Sequence, residues 1–152
     1  MYVIYHDIGG TYGAVIAAAI HLSQLPREGA VKKEEIQNFL SLDKFYPGQE
    51  GHLVFHGKDY YENEIYSLGR RYAPRMFLNA LHSTLDMSKQ NPKQLLYVDT
   101  METVNLSMIV GGTYARRAGL LKFSKPLLIY GLLKAYPKLQ NLVWKTELKS
   151  KP

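Results

Sequence analysis

A chain of 152 residues, 46% hydrophobic and 21% charged, has the length and composition of one globular domain with a buried core. Its lack of cysteine excludes disulfides, thiolate metal sites and cysteine nucleophiles, and it agrees with a reducing compartment such as the cytoplasm. No apolar run approaches the roughly 18 residues of a membrane span, so the sequence predicts a soluble, cytoplasmic protein.

The net charge of +6 is unevenly distributed along the chain. Residues 1–111 hold ten basic and twelve acidic residues, whereas residues 112–152 hold nine basic residues and a single acid, Glu147. Such a surface can contact RNA, an anionic lipid or an acidic protein. We favour a solvated, lysine-rich terminal helix, because the lysines are spaced and not clustered, and we expect any nucleic-acid binding to be weak and non-specific.

The first part of the chain predicts a strand, a glycine-rich loop and two helices. Tyr2–Tyr5 is short, apolar and rich in β-forming residues, with no basic segment before it, so it indicates a buried strand and not a secretion signal. The residues from Ala14 to about Leu25 are apolar nearly all round, which is typical of a buried helix. A second, shorter helix is predicted at about Lys32–Leu42.

The middle of the chain predicts a hairpin, a helix and a further strand. His52–His56 and Glu64–Leu68 flank a polar loop that has turn formers at both ends, as in a β-hairpin. Arg70 and Arg71 lead into an amphipathic helix, and Leu95–Val98 is a buried strand.

The last third of the chain is more ambiguous. Val104–Gly119 is compatible with a strand or a helix. We favour a helix, because a parallel crossover needs about a dozen residues and only seven, Asp99 to Asn105, follow the preceding strand. Leu127–Tyr130 is predicted as the last strand, and Pro137 as the first residue of a terminal helix.

This alternation of strands and helices predicts an α/β fold. We expect a three-layer, Rossmann-like or P-loop-like, mostly parallel sheet of about five strands. One β-hairpin and helices on both faces complete the expected fold, with residues 1–152 forming a single α/β domain.

The segment from His6 to Gly13 is the first candidate site. A helix that starts just after a strand presents free backbone N–H groups and a positive dipole end, and glycines let an anion approach closely. No Lys-Ser/Thr follows Gly13, so this is not a Walker A loop, and Ile8 stands where a dinucleotide fingerprint has its first glycine. A tight turn with close helix–sheet packing is the alternative. On the binding interpretation, a phosphate would be held by Gly9, Gly10, Thr11 and Gly13.

Polar residues at predicted strand ends form the second candidate. In open parallel sheets, ligands bind beyond the carboxyl ends of the strands. His6 and Asp7 end the first predicted strand, and Asp99 and Thr100 end the fourth. Asp99 alone is better explained as a helix cap, but the shared placement of these residues at strand ends strengthens the case for a site.

Three further residues belong to this candidate. His56 ends the second strand if that strand is parallel to the first, and it is otherwise a solvent-facing hairpin residue. Arg70 and Arg71 follow the third strand and are suited to phosphate. On this hypothesis His6 and Asp99 are catalytic proton carriers, and the ligand is bound by Asp7, His56, Arg70, Arg71, Thr100 and the glycine loop.

Metal binding is the weakest of the candidates. His6, His56 and Asp99 supply suitable atoms, but no close HxH or HExxH spacing supports a site. We therefore predict no metal site, and the sequence indicates no particular cofactor.

Several segments also carry a resemblance to a known family. They are Tyr5–Gly10, residues 17–22, Phe55-His56-Gly57, Tyr66–Arg71, Val98-Asp99-Thr100, and the tail residues 125–127 and 135–137. In these segments the chain resembles a family of small bacterial proteins known as domain of unknown function 3189. The resemblance spans nearly the whole chain and implies no activity, so it assigns no catalytic residue. Relatives often have a histidine after Thr11 where this chain has Tyr12, which puts any chemistry of that histidine in doubt here.

Two functional hypotheses follow. The first is a protein that binds a phosphate-containing ligand or nucleotide around residues 6–13, with hydrolase or transferase activity as an extension. The second is a non-enzymatic interaction protein whose basic C-terminal quarter contacts RNA or an acidic partner. Convergence of Arg70 and Arg71 on the Gly9–Gly13 loop favours the first hypothesis. The second is favoured by one exposed stripe of Arg116, Arg117, Lys122, Lys125 and Lys134.

Overall fold

The computed structural model describes residues 1–9, 12–42, 51–71, 73–89, 91, 94–117 and 121–151, without the side chains of residues 41–42, 113–117 and 121–123. Within these residues the chain has a mixed α/β fold with one four-stranded sheet and five α-helices. In chain order the elements are β1 (Tyr2–Asp7), α1 (Gly13–His21), α2 (Lys33–Leu42), β2 (Leu53–Lys58), β3 (Glu64–Gly69), α3 (Pro74–Met87), β4 (Leu95–Asp99), the 3-10 turn Met101–Thr103, α4 (Leu106–Arg117) and α5 (Leu121–Ser150).

The strand order of the sheet is β2-β3-β1-β4. The central strand β1 is parallel to β3 on one side and to β4 on the other. The edge strand β2 is antiparallel to β3, which confirms the predicted hairpin. The sheet is therefore mostly parallel, as the alternation of strands and helices predicts, and its three parallel strands end at one edge.

Helix α1 lies at the centre of the hydrophobic core. All nine of its residues are buried, from Gly13 to His21. It packs against β1 and β3 on one side and against α5 on the other. A helix enclosed by a sheet and a second helix has no face for solvent, which is why this segment is apolar all round. Val3 and Tyr5 of β1 meet it from the sheet, and Leu132 and Leu139 belong to α5 in the same core.

The structure corrects the C-terminal prediction. Leu127–Tyr130 is not a strand, and Pro137 does not begin a helix, because both lie inside the 30-residue helix α5. The described residues therefore form four strands and not five. A four-residue apolar run does not distinguish a buried strand from a turn of buried helix. Buried residues at 128, 132, 135 and 139 carry the helical spacing, and packing on α1 decides the outcome.

None of the described helices has both the length and the apolar character that a membrane crossing requires.

Candidate functional site

The carboxyl ends of β1, β3 and β4 bring the predicted residues to one edge of the sheet. His6 pairs in register with Leu68 on β3 and with Asp99 on β4. The ladders continue past the strands, since the Arg70 N–H donates to the Asp7 carbonyl oxygen and the Thr100 N–H donates to the His6 carbonyl oxygen, both at 2.9 Å. These loops therefore leave the sheet side by side.

Strand pleating divides these residues between the two faces of the sheet. Successive side chains of a strand point to opposite faces. Asp7 has the parity of Val3 and Tyr5, which face α1, whereas His6 has the parity of Ile4 and faces away from it. The single site expected from sequence is thus two groups of residues, one on each face.

On the α1 side, a protein carboxylate occupies the N-terminus of the helix. Asp7 accepts hydrogen bonds from the N–H groups of Gly9, at 2.8 Å, and of Ala14, at 3.1 Å. An anion at this position is stabilised by the free N–H groups and the positive helix end, as expected for a phosphate. Asp7 is therefore a capping residue here, and it engages the Gly9 donor of the predicted loop and the Ala14 donor of the first turn of α1.

Gly13 and Thr100 complete this side. A Cβ atom on Gly13 would lie 3.2 Å from both Asp7 Oδ2 and Thr100 Oγ1, which is tighter than an ordinary contact. The Thr100 hydroxyl donates to the His6 carbonyl oxygen at 3.0 Å and is buried. Close helix–strand packing, the alternative interpretation of these glycines, is thus present at Gly13. The expectations for Gly10 and Thr11 lie outside the described residues.

On the opposite face, Arg70 crosses the end of β1 and joins three strands. Its Nε–H donates to His6 Nδ1 at 2.8 Å, and its NH2 group donates to Asp99 Oδ2 at 2.9 Å. Its NH1 group donates to the Arg71 carbonyl oxygen at 3.3 Å. The Arg70 side chain is only 8% exposed, whereas the Asp99 side chain is 42% exposed. The arginine is thus fixed by its neighbours, and the carboxylate is the accessible member of the group.

The contact with Arg70 determines the state of His6. An arginine N–H always donates, so the Nδ1 atom of His6 accepts and the ring proton of the neutral form is on Nε2. Burial, opposed by Asp99 and assisted by Arg70, lowers the pKa of His6 to about 4. At neutral pH the imidazole is uncharged and its Nδ1 lone pair is engaged. His6 can therefore donate a hydrogen bond through Nε2, while its Nδ1 lone pair is occupied by Arg70.

Tyr97 also belongs to this group, and it is not among the site residues predicted from sequence. Its ring stacks on His6 with centroids 3.7 Å apart. Its hydroxyl is buried and has no hydrogen-bond partner among the described residues. Burial raises the pKa of Tyr97, with a further rise from Asp99 and an opposing effect of Arg70. Tyr97 lies two residues before Asp99 on the same strand, so both side chains point to the same face of the sheet, and this spacing could have indicated Tyr97 from sequence.

His56 is not brought to this edge. Strand β2 runs antiparallel to β3, so its carboxyl end, Lys58, pairs with Glu64 at the start of β3. The condition for including His56, a strand parallel to the first, is not met. Its Nε2 atom lies 2.8 Å from the hydroxyl of Ser67, a residue that pairs with Tyr5 and shares the α1 side of the sheet.

Arg71 is exposed beside Arg70, with its backbone at φ +49°, in the left-handed region. Its N–H donates to the Ile8 carbonyl oxygen at 2.9 Å, so the backbones of both arginines lie against the start of the glycine loop. Of the C-terminal stripe expected for an interaction protein, Lys125 and Lys134 are exposed. The side chains of Arg116, Arg117 and Lys122 lie outside the described residues.

A second polar cluster, also missed from sequence, lies inside the fold. The Tyr5 hydroxyl is 2.8 Å from His21 Nδ1, and His21 Nε2 is 3.1 Å from Asp59 Oδ2. Burial lowers the pKa of His21, against the effect of its hydrogen bond to Asp59. Asp59 also accepts bonds from the backbone and side chain of Asn63. Tyr5 and His21 are buried, so this cluster ties α1 to the β2–β3 hairpin and does not form an open site.

The described cavity lies away from the strand-end site. A cavity of about 720 Å³ lies between α5 and the segment after α1, where Arg27, Gln140, Trp144 and Glu147 are among its lining residues. None of the strand-end residues lines it. In the part of the chain that the structure describes, no three His, Asp or Glu side chains are grouped to hold a metal ion.

Comparison with known proteins places the chain in one family. The profile of a family described as Protein of unknown function (DUF3189) matches residues 2–147. No curated protein and no solved structure matches the chain. The match covers nearly the whole chain and agrees with the resemblance seen in its segments. The chain therefore belongs to the DUF3189 family of proteins of unknown function.

Proposed function

We propose that this protein binds a phosphate-containing ligand, such as a nucleotide, at the carboxyl edge of its sheet. The observation that carries the proposal is the fixed guanidinium of Arg70. Three hydrogen bonds to described residues orient it. A guanidinium has five N–H donors, so roughly two are left for a ligand. An arginine fork held in one orientation suits phosphate oxygens better than a mobile lysine does.

The surroundings of Arg70 supply neutral donors and one additional charge. Asp99 offsets the charge of Arg70, and Arg71 next to it is a second basic residue. The Tyr97 hydroxyl lacks a partner among the described residues, and a ligand oxygen would give it one. The left-handed backbone of Arg71 is a local strain of the kind that collects at binding sites.

In any reaction at this edge, His6 and Asp99 would have different roles in proton transfer. His6 has its Nδ1 atom engaged by Arg70, so it would donate a hydrogen bond through Nε2. Asp99 is partly exposed and would accept or deliver the proton in a hydrolase or transferase. The glycine segment would line the other side of the same edge.

We also propose on which face of the sheet α3 lies. The connection β3–α3–β4 joins two parallel strands that flank β1. The usual right-handed connection would put α3 on the face of His6, opposite α1. That arrangement would give the three-layer, Rossmann-like fold expected from sequence, with a crevice where the loops after β1 and β3 diverge.

Thermal-shift and calorimetric titrations with inorganic phosphate, nucleotides and sugar phosphates test the proposal. A ligand at 100 times its Kd should stabilise the protein by about 2.7 kcal/mol. Tyr97→Phe should weaken binding roughly tenfold, because a hydrogen bond to a charged oxygen is lost. It should not reduce stability, because the hydroxyl has no described partner to lose. Tyr130→Phe, at an exposed position of α5, is the matched control.

A second variant locates the phosphate. Asp7→Asn should increase affinity if the phosphate competes with the carboxylate for the N-terminus of α1. It should change affinity little if the phosphate lies on the Arg70 side. An absence of binding by every phosphate compound would contradict the proposal, as would equal binding by wild type, Tyr97→Phe and Asp7→Asn.

A further inference from the structure

The outward side of α5 carries a continuous stripe of exposed residues, which we call the α5 stripe. From residue 127 to residue 148 the exposed positions recur every three or four residues, so they share one face over about 30 Å of helix. Its large apolar members are Leu127, Tyr130, Trp144 and Leu148.

The charged members of the α5 stripe are all basic. Lys134, Lys138 and Lys145 are exposed on it. The one acid of α5 is Glu147, which is ion-paired with Arg27 and lines the cavity beside the helix. The stripe therefore attracts an anionic partner from residue 134 to residue 145.

The apolar members identify which anionic partner fits. Tyr130 is 59% exposed, Trp144 is 60% exposed and Leu148 is 50% exposed. Tyrosine and tryptophan are enriched at the headgroup level of bilayers, and leucine gains free energy by entering the acyl boundary. Phosphates of a nucleic acid would pair with the lysines but would leave the leucines in water.

The order of residues along the α5 stripe fits a flat surface. Leu127 and Tyr130 lie at one end, and Trp144 and Leu148 lie at the other. Lys134 and Lys138 lie between these apolar ends. A single exposed helix face offers a line of contacts and no groove, which suits a bilayer better than single-stranded nucleic acid, whose binding sites are grooves with stacking platforms.

We propose that the α5 stripe binds the surface of an anionic lipid bilayer. The helix lies parallel to the bilayer plane, and the rings of Tyr130 and Trp144 reach the headgroup level. Lys134, Lys138 and Lys145 contact the lipid phosphates. This interaction is peripheral, and it does not depend on a ligand at the strand-end site.

The chain offers its own probe for this contact, because Trp144 is its only tryptophan. The full chain is mixed with vesicles of phosphatidylcholine alone, or of phosphatidylcholine with roughly one third phosphatidylglycerol. We expect co-sedimentation with the anionic vesicles only. The emission of Trp144 should shift to shorter wavelength and be quenched by brominated lipid.

Variants separate charge from apolar insertion. Replacing Lys134, Lys138 and Lys145 by Gln should lower vesicle affinity about fivefold per lysine. Tyr130→Ser with Leu148→Ser should lower it without changing the charge. The matched control replaces Lys32, Lys33 and Lys89, which are exposed elsewhere, by Gln and should bind as wild type does. Circular dichroism checks that each variant is folded.

Several results would overturn the proposal. Absence of vesicle binding would do so, as would equal binding to neutral and anionic vesicles. Binding without a change in Trp144 emission would reduce the contact to non-specific charge attraction. Salt-sensitive binding to single-stranded RNA without vesicle binding would assign the stripe to nucleic acid. A lipid-independent dimer that the stripe variants dissociate would assign it to a second copy of the chain.

Discussion

Asp7 shows how one side chain can take the place of an external ligand. The N–H groups of Gly9 and Ala14, which a glycine-rich loop would offer to a phosphate, donate to its carboxylate. Arg70 has the opposite character, because its partners orient it without using every donor. Adjacent strand-end residues thus have different roles, since Asp7 caps α1 while Arg70 links β1 to β4.

We predict that Asp7→Asn lowers the free energy of unfolding by about 1 kcal/mol. The amide keeps one acceptor oxygen but loses the charge and the second acceptor at the N-terminus of α1. Urea denaturation measures the change. Asp86→Asn, on the exposed side of the last turn of α3, is the control and should be close to neutral. An Asp7→Asn protein as stable as wild type would show that the carboxylate is not a cap.

Helices α4 and α5 approach each other through glycine. A Cβ atom on Gly111 would lie 2.7 Å from the backbone nitrogen of Leu128. A Cβ atom on Gly131 would lie 2.8 Å from Met108. The two helices can therefore pack at this distance only because one of the two residues at each contact is a glycine. The neighbouring Gly112 differs, because its Cβ would meet the ring of Tyr12 at 3.1 Å.

The neighbouring residues Gly111 and Gly112 of α4 should respond differently to substitution by alanine. Gly111→Ala should destabilise the protein by about 2 kcal/mol, because backbone has to move and overpacking costs that much. Gly112→Ala should be nearly neutral. There a tilt of the Tyr12 ring relieves the contact, and the helix gains up to ~1 kcal/mol in propensity. Both changes add the same methyl group to the same helix, so equal melting temperatures would contradict this account of the packing.

Across the whole molecule, buried histidines link the sheet, α1 and the hairpin. Burial lowers the pKa of His6 to about 4 and also lowers that of His21. Both side chains are uncharged in the folded protein at neutral pH and become protonated more readily when it unfolds. Proton binding by the unfolded chain therefore opposes folding as the pH falls.

We predict that these two histidines leave the free energy of unfolding unchanged above about pH 6.5, which is the pKa of histidine in an unfolded chain. It should fall as the pH decreases from there toward 4, where folded His6 begins to titrate. Denaturation midpoints across this window test the prediction. His6→Gln should reduce the slope, and His6→Gln with His21→Gln should reduce it further. A wild-type slope unchanged in both variants would assign acid sensitivity to other groups.

Much of the fold could be predicted because its signals are local. The apolar strand before the glycines, the polar loop between β2 and β3, and the helical spacing of α4 each depend on neighbouring residues. The segment 127–130 has no such signal, since four apolar residues fit either period. Only packing on α1 makes it part of α5.

The candidate site likewise has features that can be predicted from sequence and features that cannot. The order of residues along the chain is enough to predict which polar residues follow the strands, and hence that His6, Arg70 and Asp99 meet at one edge. That Asp7 faces α1 while His6 faces away follows only from the three-dimensional packing, because the position of α1 relative to the sheet is a long-range property. The packing also decided that β2 is antiparallel, which removes His56 from that edge. Arg70 contacts His6, which is 64 positions away in the chain, and Asp99, which is 29 positions away. Contacts at such separations depend on how the strands are arranged in the sheet, and a local sequence pattern carries no information about that arrangement.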